Sequence, residues 1–399
     1  GARAIVERVA GKGDAALIEF AKKFDGANLT AKTLRVSEGE LATAGQAVNA
    51  KLKRAIRFAH RNISQFHKQG LRKGWSGRNA QGAKVGEKFD PFGRVGVYIP
   101  GGTAPLMSTA LMTVTLAKVA GCQEIIVCTP CDKDGSVNPG LLHAAKVAGA
   151  TEVYRLGGAH AIAAMAHGTK TIAPVQKIFG PGNAYVVAAK RLLVGHVSID
   201  LLPGPSEVLV LADETANPAF AAADILAQAE HGSGHERCWL VSSSARVLKT
   251  VGREIEKQLP ERSRADYIRK VLKHNGWLIQ VKSRAEGIAL ANRLAPEHCE
   301  VMIKDPRSAA KEIVTAGALF LGNTSPTVTG DYVAGPSHTL PTGGAGASFP
   351  GLTVDMFQRR TSVVEYTPDA LRKSIEAIEQ FAGVEGLDAH GRSASIRLD

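Results

Sequence analysis

The sequence predicts an α/β protein built on parallel sheets. Three observations carry that expectation. From about residue 92 onward, short β-rich runs such as "RVGVYIP", "EIIVCTP", "EVLVLA" and "CWLVSS" alternate with Ala-rich helical stretches. Many of these runs are apolar on consecutive residues rather than alternate ones, the mark of strands covered on both faces by helices. The runs are too numerous for one comfortable sheet, so two α/β units are expected.

The elements follow in order. Residues 1 to about 70 read as helical: Asp14 is placed to cap "AALIEFAKKF", and Ser37 with Glu40 forms a capping-box signature ahead of a long Ala/Lys/Arg-rich helix. Later, Asn217 caps a helix that Pro218 opens and Gly232 follows, which sets Asp224, Gln228 and His231 on one face. A second Pro-initiated helix begins at Thr367–Pro368, with Leu371, Ile375 and Ile378 as its apolar stripe, and stops near Gly383. The tail "VEGLDAHGRSASIRLD" comes after it, and the Gly-rich "PTGGAGASFPG" is a loop.

Bulk properties narrow the function. The net charge of +12 is spread along 399 residues, with no aromatic-interleaved basic motif, which argues against nucleic-acid binding. No apolar run approaches the roughly 18 residues of a membrane span, and no secretory pattern opens the chain. The chain begins at Gly1 rather than Met, which leaves room for a trimmed N-terminal segment. Five cysteines read as reduced thiols of a cytoplasmic protein. Cys128 and Cys131 form a lone C-x-x-C without the second pair a zinc ribbon needs, so they read as a strand end running into a turn.

Polar groups gather where elements end, and in α/β folds ligands bind beyond the carboxyl ends of strands. In "YIPGGTAPL" a strand runs into Gly101–Gly102, either a tight turn or a place where backbone N–H groups meet a phosphate. In "FGPGNAY", Asn183 caps the next helix or bonds a ligand. The helix end with Gln228, Glu230 and His231 is either a wet surface or part of a metal shell. "APEHCE" sets Glu297 beside His298, two groups suited to proton transfer if both are buried. "GDYVAGPSHTLPT" carries Asp331, Tyr332 and His338 in a Gly/Pro-bounded loop, and His390 lies in the tail.

Taken together with "GGAHAIAAMAHGT", "IDLLPGPSEVLVLAD", "AQAEHG" and "EGLDAHGRS", these stretches recur in the order found in histidinol dehydrogenases, and the chain resembles that family over nearly its whole length. The resemblance implies two Rossmann-like parallel-sheet domains with a helical N-terminal region. The expected layout is a discontinuous first domain of residues 1–97 and 208–352, an inserted second domain of 98–207, and a C-terminal helical tail of 353–399 exchanged in a homodimer. It implies one zinc ion per subunit on Gln228, His231, Asp331 and His390, the last given to the neighbouring copy. Glu297 and His298 would be the catalytic acid–base pair. Ser206, His338 and Glu385 would contact substrate, together with the zinc ligands and His298. Tyr98 and Asn183 would contact NAD, as would His160, which departs from the family's usual Gln. The implied reaction takes L-histidinol to L-histidine through the aldehyde by two hydride transfers to NAD. The runner-up is a paralogous zinc/NAD dehydrogenase for another small alcohol such as sulfopropanediol, against which Glu385, suited to an amine, argues. A non-enzymatic α/β scaffold would need none of these four ligands.

Overall fold

The computed structural model describes residues 1–101 and 105–399, so Gly102 of the expected Gly101–Gly102 turn lies outside the described residues. The strands are, in chain order, β1 (Trp75–Arg78) and β2 (Lys84–Pro91), then β3 (Arg94–Tyr98), β4 (Glu124–Thr129), β5 (Glu152–Arg155), β6 (Lys177–Phe179) and β7 (Ser198–Ile199). They continue with β8 (Glu207–Ala212), β9 (Arg237–Ser242), β10 (Gly276–Gln280), β11 (His298–Met302), β12 (Ala318–Leu321) and β13 (Gln358–Glu365).

Two five-stranded parallel sheets form, in the orders β5-β4-β3-β6-β7 and β10-β9-β8-β11-β12. Counted within each sheet, both follow third-second-first-fourth-fifth, the doubly wound order in which the chain reverses direction beside the first strand. The central strand β8 is buried at every residue and β11 likewise, which is why β8 is apolar on consecutive positions from Val208 to Ala212; the buried Glu207, His298 and Glu300 are the exceptions that serve the site.

The chain divides into two units. The first comprises Gly1–Gly70 and Phe92–Met356, and so holds both parallel sheets; the second comprises Leu71–Pro91 and Phe357–Asp399. This differs from the expected layout, which puts the two sheets in separate domains and begins the tail at residue 353. Residues 1–70 were grouped with 208–352, but Ile5, Val6, Val9, Leu17 and Phe20 join the same apolar cluster as Ala161, Met165 and Ile178, so the N-terminal helices cover the first sheet. That sheet opens at Arg94, before the expected boundary at residue 98. Residues 71–91 belong with the tail, because β2 pairs antiparallel with β13 from Gln358↔Pro91 to Glu365↔Lys84.

Local reading also meets corrections. The Ser37–Glu40 capping box is present, but it opens only the short helix Glu38–Thr43; the long helix Ala50–Lys68 has its own cap, Asn49, accepting from the Leu52 amide. Asp14 is the first residue of its helix, and its carboxylate accepts from Thr171 Oγ1 at 2.6 Å instead of capping. That helix ends at Phe20, and Ala21–Asp25 continues as a π-helical turn. The helix begun at Pro368 breaks after Arg372 and resumes as Ile375–Glu385, ending at Gly386. Among the described residues no helix is long and apolar enough to cross a membrane.

Candidate active site

The helix Pro218–Ala229 begins as its sequence dictates, with Asn217 Oδ1 accepting from the Ala219 amide and Pro218 in the first turn. It descends from the carboxyl end of β8 to the amino end of β9, and His231 lies two residues beyond its last turn. Glu297 and His298 stand at the start of β11, and Ser206 and Glu207 at the start of β8. This cluster therefore sits at the amino edge of the second sheet, not at the carboxyl edge that doubly wound folds usually employ.

His298 is almost wholly buried, and its Nδ1 lies 2.7 Å from the Glu207 carbonyl oxygen. A carbonyl only accepts, so Nδ1 carries the hydrogen and Nε2 presents its lone pair. That lone pair faces His338 Nε2 at 3.1 Å. Burial, with the adjacent His338 ring second, pushes the His298 pKa down to about 3, so the ring is neutral. His338 Nε2 also contacts Asp331 Oδ1. Burial raises the Asp331 pKa, but the hydrogen bond and charge of His338 outweigh it and the net shift is downward. Glu297 Oε2 accepts from the Glu207 amide at 2.8 Å and lies 3.5 Å from His298 Nδ1. Its carboxyl is held well above the usual range by burial first, then by the charges of Glu207 and Asp331.

The loop that carries Asp331 and His338 is pinned from outside the second sheet. Asn62 Nδ2 donates to the Val333 carbonyl at 2.9 Å, and Ser337 Oγ to the Met112 carbonyl at 2.9 Å. Gly335 sits at φ +118°, where a Cβ would meet Phe66 Cβ at 3.0 Å and the Asn62 carbonyl at 3.2 Å. Beneath the site, Glu300 Oε1 accepts from the Thr327 amide at 2.9 Å, at the start of the short helix Thr327–Tyr332 that presents Asp331.

Metal-binding capacity is written in this donor set. One ligand atom each from His298, Asp331 and His338 lies within 4.8 Å of the others. Gln228 is 2 % exposed, and its Nε2 has no hydrogen-bond partner. Turning that amide over presents its oxygen, a cation ligand, where an orphaned donor now stands. His231 feels the charges of both Asp331 and His338, although burial dominates and lowers its pKa. Two imidazoles, a carboxylate and an amide suit a divalent transition metal. Of the expected quartet, Gln228, His231 and Asp331 belong to the first unit; His390 is in the second, on the helix Asp388–Ser395, and Glu385 ends the helix before it.

A separate cavity of about 1020 Å³ opens at the carboxyl ends of the first sheet. Tyr98, Asn183 and His160 all line it. Tyr98 Oη accepts from the Gly158 amide at 3.0 Å, and burial pushes its pKa up to about 12. Asn183 Oδ1 caps the helix Ala184–Leu193 by accepting from the Tyr185 and Val186 amides, so its Nδ2 remains the group to offer a ligand. His160 is 1 % exposed with neither ring nitrogen bonded, and burial lowers its pKa to about 4. The ring lies 5.6 Å from Phe20 and 6.1 Å from Phe24, centroid to centroid. The turn before Asn183 is held by a buried ion pair, since Lys190 Nζ donates to the Gly180 carbonyl and pairs with Asp200, which accepts from the Gly180 amide. At Gly180, φ +107°, a Cβ would meet the Tyr98 carbonyl oxygen at 2.1 Å, so only glycine fits there. A cleft of this size, set where the strand order reverses, fits a dinucleotide.

Sequence reasoning missed Phe20, Phe24 and Asp25 on the cavity wall and Glu207 beside Glu297. "EFAKKFD" offered a faint signal, two aromatics four residues apart; Glu207 adjoined Ser206 in a motif already singled out.

Comparison with known proteins identifies the family and the fold. A family model described as histidinol dehydrogenase matches residues 2–398. The chain is similar to the histidinol dehydrogenase of a Synechococcus species, 46% identical over 395 residues, covering 99% of this chain and 91% of that protein. It is 44% identical to the histidinol dehydrogenase of Geobacillus kaustophilus, covering 99% and 92% respectively. The crystal structure of histidinol dehydrogenase from Elizabethkingia anophelis superposes with a TM-score of 0.95 at 39% identity, covering 100% of this chain and 91% of that one. An acetylating aldehyde dehydrogenase from Geobacillus thermoglucosidasius shares the fold alone, with a TM-score of 0.52 at 15% identity.

Proposed function

The chain belongs to the histidinol dehydrogenase family, and from that premise we propose that it oxidises L-histidinol to L-histidine through L-histidinaldehyde, closing histidine biosynthesis. The observation that carries this reading is the buried pair Glu297–His298 set against Asp331 and His338: two proton acceptors of different chemistry beside a donor set suited to a metal.

Gln228, His231, Asp331 and His390 of a neighbouring copy would hold a zinc ion, which would supply an anchor for the substrate's nitrogens. NAD, in the cavity of Tyr98, His160 and Asn183, supplies the hydride acceptor for each oxidation. The chain's own residues handle the protons. His298 is anchored through Nδ1 to the Glu207 carbonyl and kept neutral by burial, so Nε2 is free to take the alcohol proton as hydride leaves. Glu297, whose carboxyl burial holds well above the usual range, is placed to take a proton from the water that adds to the aldehyde. His338 and Ser206 face the substrate, and a neighbouring copy's Glu385 holds its amino group.

The reading includes a homodimer with exchanged tails in the reducing cytoplasm. Phe381 is 71% exposed and Val384 89% exposed on the helix that ends in Glu385, a surface that favours cover by a second copy. Five free thiols accord with the compartment.

The test is turnover by the zinc-loaded enzyme with histidinol as the only reductant. Two NADH per histidine are expected. A fully zinc-loaded preparation that makes no NADH from histidinol overturns the reading.

A further inference from the structure

We propose that Asp25 reads the adenosine ribose of the dinucleotide and makes the cavity select NAD over its 2′-phosphorylated counterpart. The inference rests on the reading of that cavity as the NAD site.

In doubly wound folds the ribose hydroxyls are taken by an acid at the end of the second strand, and an arginine there accommodates a 2′-phosphate instead. The second strand of this sheet is β4, which runs out through Thr129, Pro130 and Cys131. Its first acid, Asp132, is exposed and engaged in a surface turn: its amide donates to the Ser136 carbonyl at 2.8 Å, and its Oδ2 accepts from Ser136 Oγ at 3.5 Å. Asp132 also lines the cavity, but as an exposed residue held in its own turn it leaves no buried, unpartnered carboxylate oxygen there.

Asp25, on the same cavity, does leave one. It is the last residue of the π-helical turn Ala21–Asp25, and single π turns recur at functional sites. It lines the cavity together with Tyr98 at the end of β3 and Cys131 beyond β4, and its charge is felt by both. Asp25 lines the cavity, yet its Oδ2 is buried and has no hydrogen-bond partner. Burial pushes the carboxyl up to about 6, as expected of an acceptor waiting for donors. A ribose diol provides two such donors.

The same position rejects a 2′-phosphate, which would bring a charge of about −1.5 to −2 against the carboxylate. The cations at hand do not offset it. Among the described residues lining the cavity these are Arg8 and Lys23. Arg8 is paired with Glu19, and Lys23 is exposed, 5.5 Å from the Phe24 ring centroid. Arg155, at the end of β5, is consumed by the carbonyls of Gly135, Thr33 and Arg35 and by Glu40.

The experiment is equilibrium binding of NADH and NADPH, followed by nucleotide fluorescence, to the zinc-loaded wild type, Asp25→Asn, Asp25→Ser and Asp132→Asn, with thermal melting to verify folding. The wild type is expected to prefer NADH. In both Asp25 variants the ratio of the NADPH to the NADH dissociation constant falls by about tenfold or more, the scale of one lost charge-assisted contact, while Asp132→Asn keeps the wild-type ratio. An unchanged ratio in a folded Asp25 variant overturns the proposal, as does a shift produced by Asp132→Asn. A wild type that binds neither nucleotide overturns the NAD reading itself, and the proposal with it.

Discussion

His338 Nε2 lies 3.1 Å from His298 Nε2, with the two rings 4.7 Å apart and 26° from parallel. Because His298 Nδ1 is committed to the Glu207 carbonyl, His298 Nε2 carries no hydrogen, and the hydrogen on His338 Nε2 goes to the closer Asp331 Oδ1, which leaves the His298 lone pair available. Proton acceptor, proton donor and carboxylate thus form one line running from the start of β11 to the pinned loop.

The two oxidations are expected to respond to different substitutions. His298→Asn slows oxidation of the alcohol by about 10²- to 10⁴-fold, the usual worth of a positioned base. Glu297→Gln acts on the second step, so aldehyde accumulates and the NADH formed per histidinol drops from two towards one. Steady-state NADH formation and trapping of the aldehyde measure both. A Glu297→Gln enzyme with wild-type acid yield removes that residue from the mechanism.

Zinc content separates the proposed ligands from their neighbours. Gln228→Ala and His231→Ala are expected to lose most of the metal along with the rate, whereas His338→Ala keeps it and loses rate alone. Metal analysis of the purified variants decides the matter. The opposite pattern assigns the ion to His298, Asp331 and His338, whose ligand atoms already converge.

Acid sensitivity follows from His67, which is 3% exposed with Nε2 unpartnered, its pKa lowered by burial from 6.5 to about 4. Between those values the unfolded chain holds a proton that the folded chain refuses. Stability is therefore intact above about pH 6.5 and falls as pH drops towards 4, by at most about 3 kcal/mol from this residue. His67→Leu is expected to flatten that part of the loss. Denaturant titrations of both proteins at about pH 7 and about pH 5 test it, and identical pH slopes would count against the assignment.

Subunit mixing tests the shared site. His298→Asn and His390→Ala homodimers are each expected to be inactive. Unfolding and refolding them together restores activity, because mixed dimers assemble one site free of both substitutions. Mixtures that stay inactive while dimers form would show that each chain completes its own site.

Much of the fold was legible because burial on both faces of a parallel strand favours apolar residues on consecutive positions, as from Val208 to Ala212 in β8, and because caps such as Asn217 with Pro218 act within one turn of chain. Element boundaries were less legible. Asp14 looked like a cap until Thr171, far along the chain, claimed its carboxylate, and Ser37–Glu40 opens a shorter helix than the downstream pattern implied. The placement of residues 1–70 on the first sheet depended on where Ile5, Val6 and Phe20 found apolar partners, a long-range choice.

By itself the sequence determined the α/β class, the family and the chemical types gathered for the site, since periodicity and motif wording are properties of neighbouring residues. Only the tertiary structure decided that His298 points Nε2 at His338, that Glu297 is buried enough to lie far above an ordinary carboxyl, and that Asp25 lines one cavity with Tyr98 at the end of β3 and Cys131 beyond β4. The reason is physical: a side chain's proton affinity and hydrogen-bond partners depend on how much water is excluded around it and on which distant groups surround it, and both are set when the chain packs.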